Sequence, residues 1–182
     1  MRSFIFVHIP KTAGGTFRRI LDENFDTVRD GAKPWKGQIT PKVKHKPVIT
    51  GHFDVDKYAD LNRLMITVVR DPVERLISDY YFFAWKYAPG KDIRYWAEKT
   101  ANLQHQYIKD LDRFEWVGLT ERFDESLDSF EKWCGKKISR EFKIYNVGKR
   151  KKPVSEGDRE YIRCLNDKDY EIYNEVLKWY TG

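Results

Sequence analysis

The stretch Phe4-Ile-Phe-Val-His-Ile-Pro-Lys-Thr-Ala-Gly-Gly-Thr-Phe17 decides how the chain is read. Phe4 to Val7 is a short apolar run of β-formers, the length of a buried strand. Pro10 ends it, and Gly14-Gly15 break any regular continuation. Beyond the glycines, Phe17, Ile20, Leu21 and Phe25 recur at helical spacing. A strand, a tight glycine-containing loop and a helix make an anion cradle: glycines let backbone N–H groups approach, and the helix N-terminus adds partial positive charge. Lys11 supplies a full charge, and Thr12 and Thr16 supply hydroxyl donors. The loop Lys11, Thr12, Ala13, Gly14, Gly15, Thr16 and Phe17 is therefore the candidate phosphate-binding element. It is not a Walker A loop, in which the lysine follows the glycines. A turn that needs glycines only for packing is the alternative, but such a turn has no use for a lysine and two threonines.

Working outward, Asp26 to Lys46 is polar and basic, with Lys42, Lys44, His45 and Lys46 clustered. It reads as a long loop with at most short strands, either binding an acceptor or simply solvated. Pro47 to Phe53 is a second strand ending in Gly51-His52, and Val55 to Leu64 is an amphipathic helix. Leu64 to Val69 is a continuous apolar run, as expected of a strand buried on both faces. Arg70 follows at its end. An arginine there is rarely core, and strand C-termini are where open α/β sheets bind ligands, so Arg70 is expected to face an anion beside the cradle. Asp71 and Pro72 read as the N-cap and first residue of the next helix. Val73, Leu76, Ile77, Tyr80 and Ala84 line one face of that helix, and Ser78 shares the other side with Glu74, Arg75 and Phe82. Trp116 to Leu119 is a last short strand. Thr120 or Asp124 is expected to cap the helix after it. Asn146-Val-Gly-Lys-Arg-Lys-Lys-Pro153 is a basic loop, either solvated or a flap over a nucleotide. Ser155 opens a helix, and Tyr170, Tyr173, Leu177 and Tyr180 stripe the final one as core.

The 182 residues suit a single domain, 1–182, able to bury roughly 70% of its unfolded-chain surface without staples. Cys134 and Cys164 each sit in an apolar helical pattern, read as buried free thiols; no metal-ligand spacing exists and no metal is expected. The start lacks the signature of a signal peptide, and no run of about 18 apolar residues encodes a membrane span; the expected location is cytoplasmic. The net charge of +6, from 34 basic and 28 acidic residues, fits an anionic nucleotide and an acidic acceptor. No nucleic-acid-binding signature stands out, and no nucleic acid is expected.

The wording His-Ile-Pro-Lys-Thr-Ala-Gly-Gly-Thr-Phe resembles the 5′-phosphosulfate loop of carbohydrate-type sulfotransferases. Thr67-Val-Val-Arg-Asp-Pro-Val-Glu-Arg-Leu-Ile-Ser-Asp-Tyr80 resembles their 3′-phosphate motif. Asn102-Leu-Gln and Val117 to Ser126 are similar to family segments, although His105-Gln106 departs from the usual basic residue. The resemblance implies a three-layer, P-loop-like α/β fold with a mostly parallel central sheet flanked by helices. It implies 3′-phosphoadenosine 5′-phosphosulfate (PAPS) as sulfuryl donor and adenosine 3′,5′-bisphosphate as product. Arg70 and Ser78 are then the 3′-phosphate ligands, and Lys149 and Arg150 are late basic contacts to the nucleotide. The acceptor implied is a hydroxyl, with a saccharide as the family-level expectation; a tyrosine, a lipid or a small metabolite stays open.

Sulfuryl transfer resembles phosphoryl transfer in being an in-line displacement. Lys11 is expected to stabilise charge growing on the oxygen that bridges to the leaving phosphate. A base must take the acceptor's proton. His8 reads as a structural hydrogen-bonder, and His45 and His105 as surface residues. His52 follows a strand-ending glycine between the two donor motifs, and Gly51-His52 resembles the catalytic histidine region of uronyl 2-O-sulfotransferases. It is the candidate base, with a structural histidine as the alternative. Two rival functions are an ATP–Mg²⁺ kinase of P-loop type and a non-catalytic anion or nucleic-acid binder.

Overall fold

The computed structural model describes residues 3–30, 43, 45–140 and 153–181. Its centre is a five-stranded sheet in the order β2-β3-β1-β4-β5. The strands are β1 (Phe4–Val7), β2 (Thr27–Asp30), β3 (Val48–Gly51), β4 (Leu64–Val69) and β5 (Phe114–Leu119). Every pairing is parallel. All five C-terminal ends therefore open on one edge.

Helices cover both faces, as parallel sheets require. Alternate residues of β1 point opposite ways. Phe4 and Phe6 pack with Phe17, Ile20 and Leu21 of α1 (Gly14–Asn24) and with Leu127 and Phe130 of α5 (Phe123–Cys134). Ile5 and Val7 pack on the other side with Ile108 of α4 (Leu103–Ile108) and Ile172 and Val176 of α7 (Asp167–Trp179). A third apolar cluster joins α2 (Pro72–Tyr87), α3 (Ile93–Thr100) and α6 (Glu156–Leu165) beyond the sheet. The three-layer α/β architecture expected from the sequence is the one observed.

The local expectations hold where a signal lies between near neighbours. Asp71 accepts from Glu74 N–H at 2.9 Å with Pro72 in the first turn, and Ser155 caps α6. Others shift. Val55–Leu61 is 3-10 rather than α-helix, broken at Tyr58. Thr27–Asp30 forms a short edge strand, as the reading of Asp26 to Lys46 as a loop with at most short strands allows. Cys164 is exposed, not buried, because α6 turns Ile162 and not its thiol toward the core. Neither Thr120 nor Asp124 caps α5: Thr120 Oγ1 donates instead to Val69 O at 2.8 Å, tying the β4 and β5 ends together. Tyr173, Leu177 and Tyr180 are half-buried at the core rim. No helix among the described residues is long and apolar enough to cross a membrane.

Candidate active site

The connection after β1 leads through α1 toward β2, whereas the chain after β4 runs toward β5 on the other side. The loops after β1 and β4 therefore diverge, and the crevice between them is the switch point where such sheets bind ligands. The first loop carries Lys11 to Thr16; the second carries Arg70.

The first loop is shaped by two non-glycine residues in the left-handed region, Lys11 (φ 70°) and Ala13 (φ 59°). Such conformations cost about 1–2 kcal/mol per residue and persist where the surroundings enforce them. Thr12 is fully buried, and its hydroxyl donates to Ile9 O at 3.0 Å, closing the turn from inside. Ala13 begins α1 without a capping side chain. Its carbonyl accepts the N–H groups of both Thr16 and Phe17. The Phe17 ring is core, stacked on Trp116 at 5.1 Å. Of the seven loop residues, Thr12 and Phe17 thus serve the loop's own structure.

The two glycines differ. A Cβ on Gly14 would meet His8 Cδ2 at 2.1 Å and Nε2 at 2.4 Å, so Gly14 admits the His8 ring. A Cβ on Gly15 would meet nothing within 4 Å, so the space above it is open.

Arg70 is bound to the same loop: its Nη1 donates to Lys11 O at 3.2 Å. Its main chain is held by Gln104, whose Oε1 accepts Arg70 N–H and whose Nε2 donates to Arg70 O, both at 2.9 Å. Gln104 is fully buried, and its own N–H donates to Asp169 of α7. The Lys11 ammonium lies 3.8 Å from the centroid of the Phe82 ring. Burial lowers the Lys11 pKa, Asp79 opposes that, and Arg70 adds to it. Burial likewise lowers that of Arg70. Ser78 lies one helical turn after Glu74, which pairs with Arg70, and one turn before Phe82, which receives Lys11. It therefore stands on α2 between the partners of the two cations. Arg75 does not share that open side: it is fully buried and paired with Asp79 at 3.9 Å.

His52 is exposed at the end of β3. Its Nδ1 lies 2.7 Å from His8 O, and its ring stacks on the His8 ring at 4.1 Å. A carbonyl only accepts, so Nδ1 carries the hydrogen and Nε2 keeps a free lone pair. Desolvation lowers the His52 pKa; the bond to His8 O opposes this and Arg29 reinforces it. Burial pushes His8 down to about 3, so it stays neutral. Through His8, which abuts Gly14, His52 is two side chains from the cradle.

Lys149, Arg150, Lys42 and Lys44 lie outside the described residues. Sequence reasoning missed Gln104 as a clamp on Arg70, as well as Glu74, Glu121 and Arg159 around it. Only the Asn102-Leu-Gln wording pointed there. Among the described residues, no group of three or more His, Cys, Asp or Glu side chains could hold a metal.

The sequence profile described as "Sulfotransferase family" matches residues 2–106. No curated protein sequence matches the chain. Among solved structures, a sulfotransferase from Alicyclobacillus acidocaldarius superposes with a TM-score of 0.57 at 14% identity, over 93% of this chain and 92% of that one. Mouse sulfotransferase SULT7A1, complexed with PAP, superposes with a TM-score of 0.56 at 12% identity, over 93% of this chain and 66% of that one. At such identities these likenesses establish the fold.

Proposed function

The chain belongs to the sulfotransferase family, and from that premise we propose that it moves a sulfuryl group from PAPS to an acceptor hydroxyl, with a saccharide as the acceptor class. The observation that carries the reading is the Arg70–Lys11 contact, which binds two cations to one strained loop. A ligand with two separate anionic groups suits them. PAPS has a phosphosulfate at 5′ and a phosphate at 3′, whereas ATP lacks the 3′ group and leaves Arg70 and Ser78 without a partner. The PAP bound by the mouse neighbour supports the same nucleotide here.

The donor supplies the sulfuryl group and a phosphate leaving group. Lys11 and the Gly14 and Gly15 amides hold its 5′ end, and Arg70 and Ser78 its 3′ phosphate. Lys11 meets more negative charge as the bridging bond breaks, so its contribution is larger in the transition state than in the ground state. His52 accepts the acceptor's proton at Nε2. Its lowered pKa keeps it neutral, and so able to accept, near pH 7. The basic residues Lys42 to Lys46 favour an acidic glycan.

The test is thermal denaturation with adenosine 3′,5′-bisphosphate, ATP–Mg²⁺ or an oligonucleotide. Saturation at 100 times the dissociation constant stabilises by about 2.7 kcal/mol. The expected result is a shift with the bisphosphate alone, followed by a mass increase of one sulfuryl group on a saccharide from an acceptor panel incubated with PAPS. A shift with ATP–Mg²⁺ or the oligonucleotide and none with the bisphosphate overturns the donor assignment. Sulfated tyrosine or lipid and no sulfated saccharide overturns the acceptor class.

A further inference from the structure

We propose that Arg159 is a second arginine of the 3′-phosphate subsite, and that Glu74 occupies this subsite in the free protein as an internal anion that the ligand displaces. The proposal rests on the donor reading above and deepens it.

Two guanidinium groups from distant parts of the chain converge on one carboxylate. Glu74 Oε1 accepts from Arg159 Nη1 at 3.0 Å, and Glu74 Oε2 lies 4.0 Å from Arg70 Nη2. Arg70 ends β4, Glu74 stands in the first turn of α2, and Arg159 comes from α6. The three side chains are 24%, 28% and 26% exposed, so solvent reaches the cluster. Ser78 is one turn along α2 from Glu74.

Arg70 is poorly satisfied in this arrangement. Its Nε is buried without a hydrogen-bond partner. Glu121 lies 3.9 Å away and Glu74 4.0 Å, both beyond hydrogen-bond length. Glu121 is already engaged, accepting Asp71 N–H at 3.0 Å. The carboxylates thus neutralise Arg70 without filling its donor sites. A phosphate has three terminal oxygens and up to two charges. It can take planar N–H pairs from both arginines at once, which one carboxylate held on a helix does not.

Exchange follows from that difference. When a 3′-phosphate enters, Arg70 and Arg159 turn to it, and Glu74 swings to the solvent that it already touches. A nucleotide without a 3′-phosphate offers nothing to replace Glu74, and the two arginines stay paired with it. Glu74 therefore sets a threshold that only the phosphorylated ribose passes.

Calorimetric titration of adenosine 3′,5′-bisphosphate and of adenosine 5′-phosphosulfate tests this on the unsubstituted protein, Glu74→Gln, Arg159→Gln and the double variant. Arg159→Gln is expected to weaken the bisphosphate about tenfold and to change the phosphosulfate by less than about twofold. Glu74→Gln is expected to tighten the bisphosphate severalfold, because no internal anion remains to be displaced. In the Glu74→Gln background, removing Arg159 should still weaken the bisphosphate. If it has no effect there, Arg159 acts only by neutralising Glu74 and the proposal falls. Equal losses for both nucleotides would make Arg159 a packing residue of α6. Should Arg159→Gln fail to fold, Glu74→Gln decides alone: unchanged or weaker bisphosphate binding overturns the exchange. Failure of the unsubstituted protein to bind the bisphosphate overturns the donor reading together with this one. Normal binding that Arg159→Gln leaves intact overturns only this one.

Discussion

Alanine at Gly14 and alanine at Gly15 are the same change at neighbouring positions, and the structure predicts opposite consequences. At Gly14 the new methyl would lie 2.1 Å from His8 Cδ2 and 2.4 Å from Nε2, well inside van der Waals contact. His8 has little room to yield, since its ring is stacked between Phe6 at 5.5 Å and His52 at 4.1 Å. Overpacking of this kind costs about 1–3 kcal/mol. In a chain of this size each kcal/mol lowers Tm by about 2–4 °C, so Gly14→Ala should melt about 2–12 °C lower. At Gly15 the methyl would meet no protein atom within 4 Å, and alanine is the better helix former by about 1 kcal/mol. Gly15→Ala should therefore melt at or slightly above the parent temperature. Its methyl instead fills the space over the cradle, and bisphosphate affinity should drop at least about tenfold, the consequence of losing close backbone approach to an anion. Differential scanning calorimetry without ligand, paired with calorimetric titration of the bisphosphate, reads both effects. Parent-like melting of Gly14→Ala would refute the packing of His8 against the helix start. Parent-like binding by Gly15→Ala would refute the cradle as the 5′ site.

Arg70→Ala should weaken the bisphosphate by about 1.5–3 kcal/mol, the range for a charged hydrogen bond, and leave adenosine 5′-phosphosulfate nearly unchanged; equal losses in titration would make Arg70 structural. Lys11→Ala should lower turnover on the order of 10²–10³-fold while donor affinity falls much less, and normal turnover at saturating PAPS would remove its electrostatic role. His52→Ala should cost on the order of 10²–10⁴ in turnover with bisphosphate binding intact. The parent rate should rise with pH through a value below the ordinary 6.5, because desolvation lowers the His52 pKa, and the base works only when neutral. It should fall again below the ordinary lysine value of 10.5, as Lys11 loses its proton early. A pH–rate profile of parent and variant checks both limbs; a low-pH limb that survives in His52→Ala assigns the base elsewhere.

Elements whose signals lie between near neighbours are legible in the amino-acid chain alone. Phe4 to Phe17 specifies strand, turn and helix through β-formers, Pro10 and a 3.6-residue apolar repeat. Asp71-Pro72 marks a helix start through a side chain that reaches only three residues on. The apolar run Leu64 to Val69 foretold a strand covered on both faces, as strands of parallel sheets are. The wording around Lys11 and Arg70 carried the family.

Which groups in that wording are already engaged by the protein itself depends on three-dimensional packing. Thr12 looked like an anion donor, but its hydroxyl closes the loop on Ile9; Phe17 belongs to the loop by position and to the core by packing. Gly14 and Gly15 read alike in sequence, and they separate because His8, just beyond β1, fills the space beside one of them. Gln104 clamps Arg70 across 34 residues, and Arg159 meets Glu74 across 85. Such pairs leave no periodic trace along the chain. They exist because the order β2-β3-β1-β4-β5 brings the ends of β1 and β4 side by side, and α6 packs on α2, the helix that leaves β4; a hydrogen bond is settled by distance in space after the backbone has been placed.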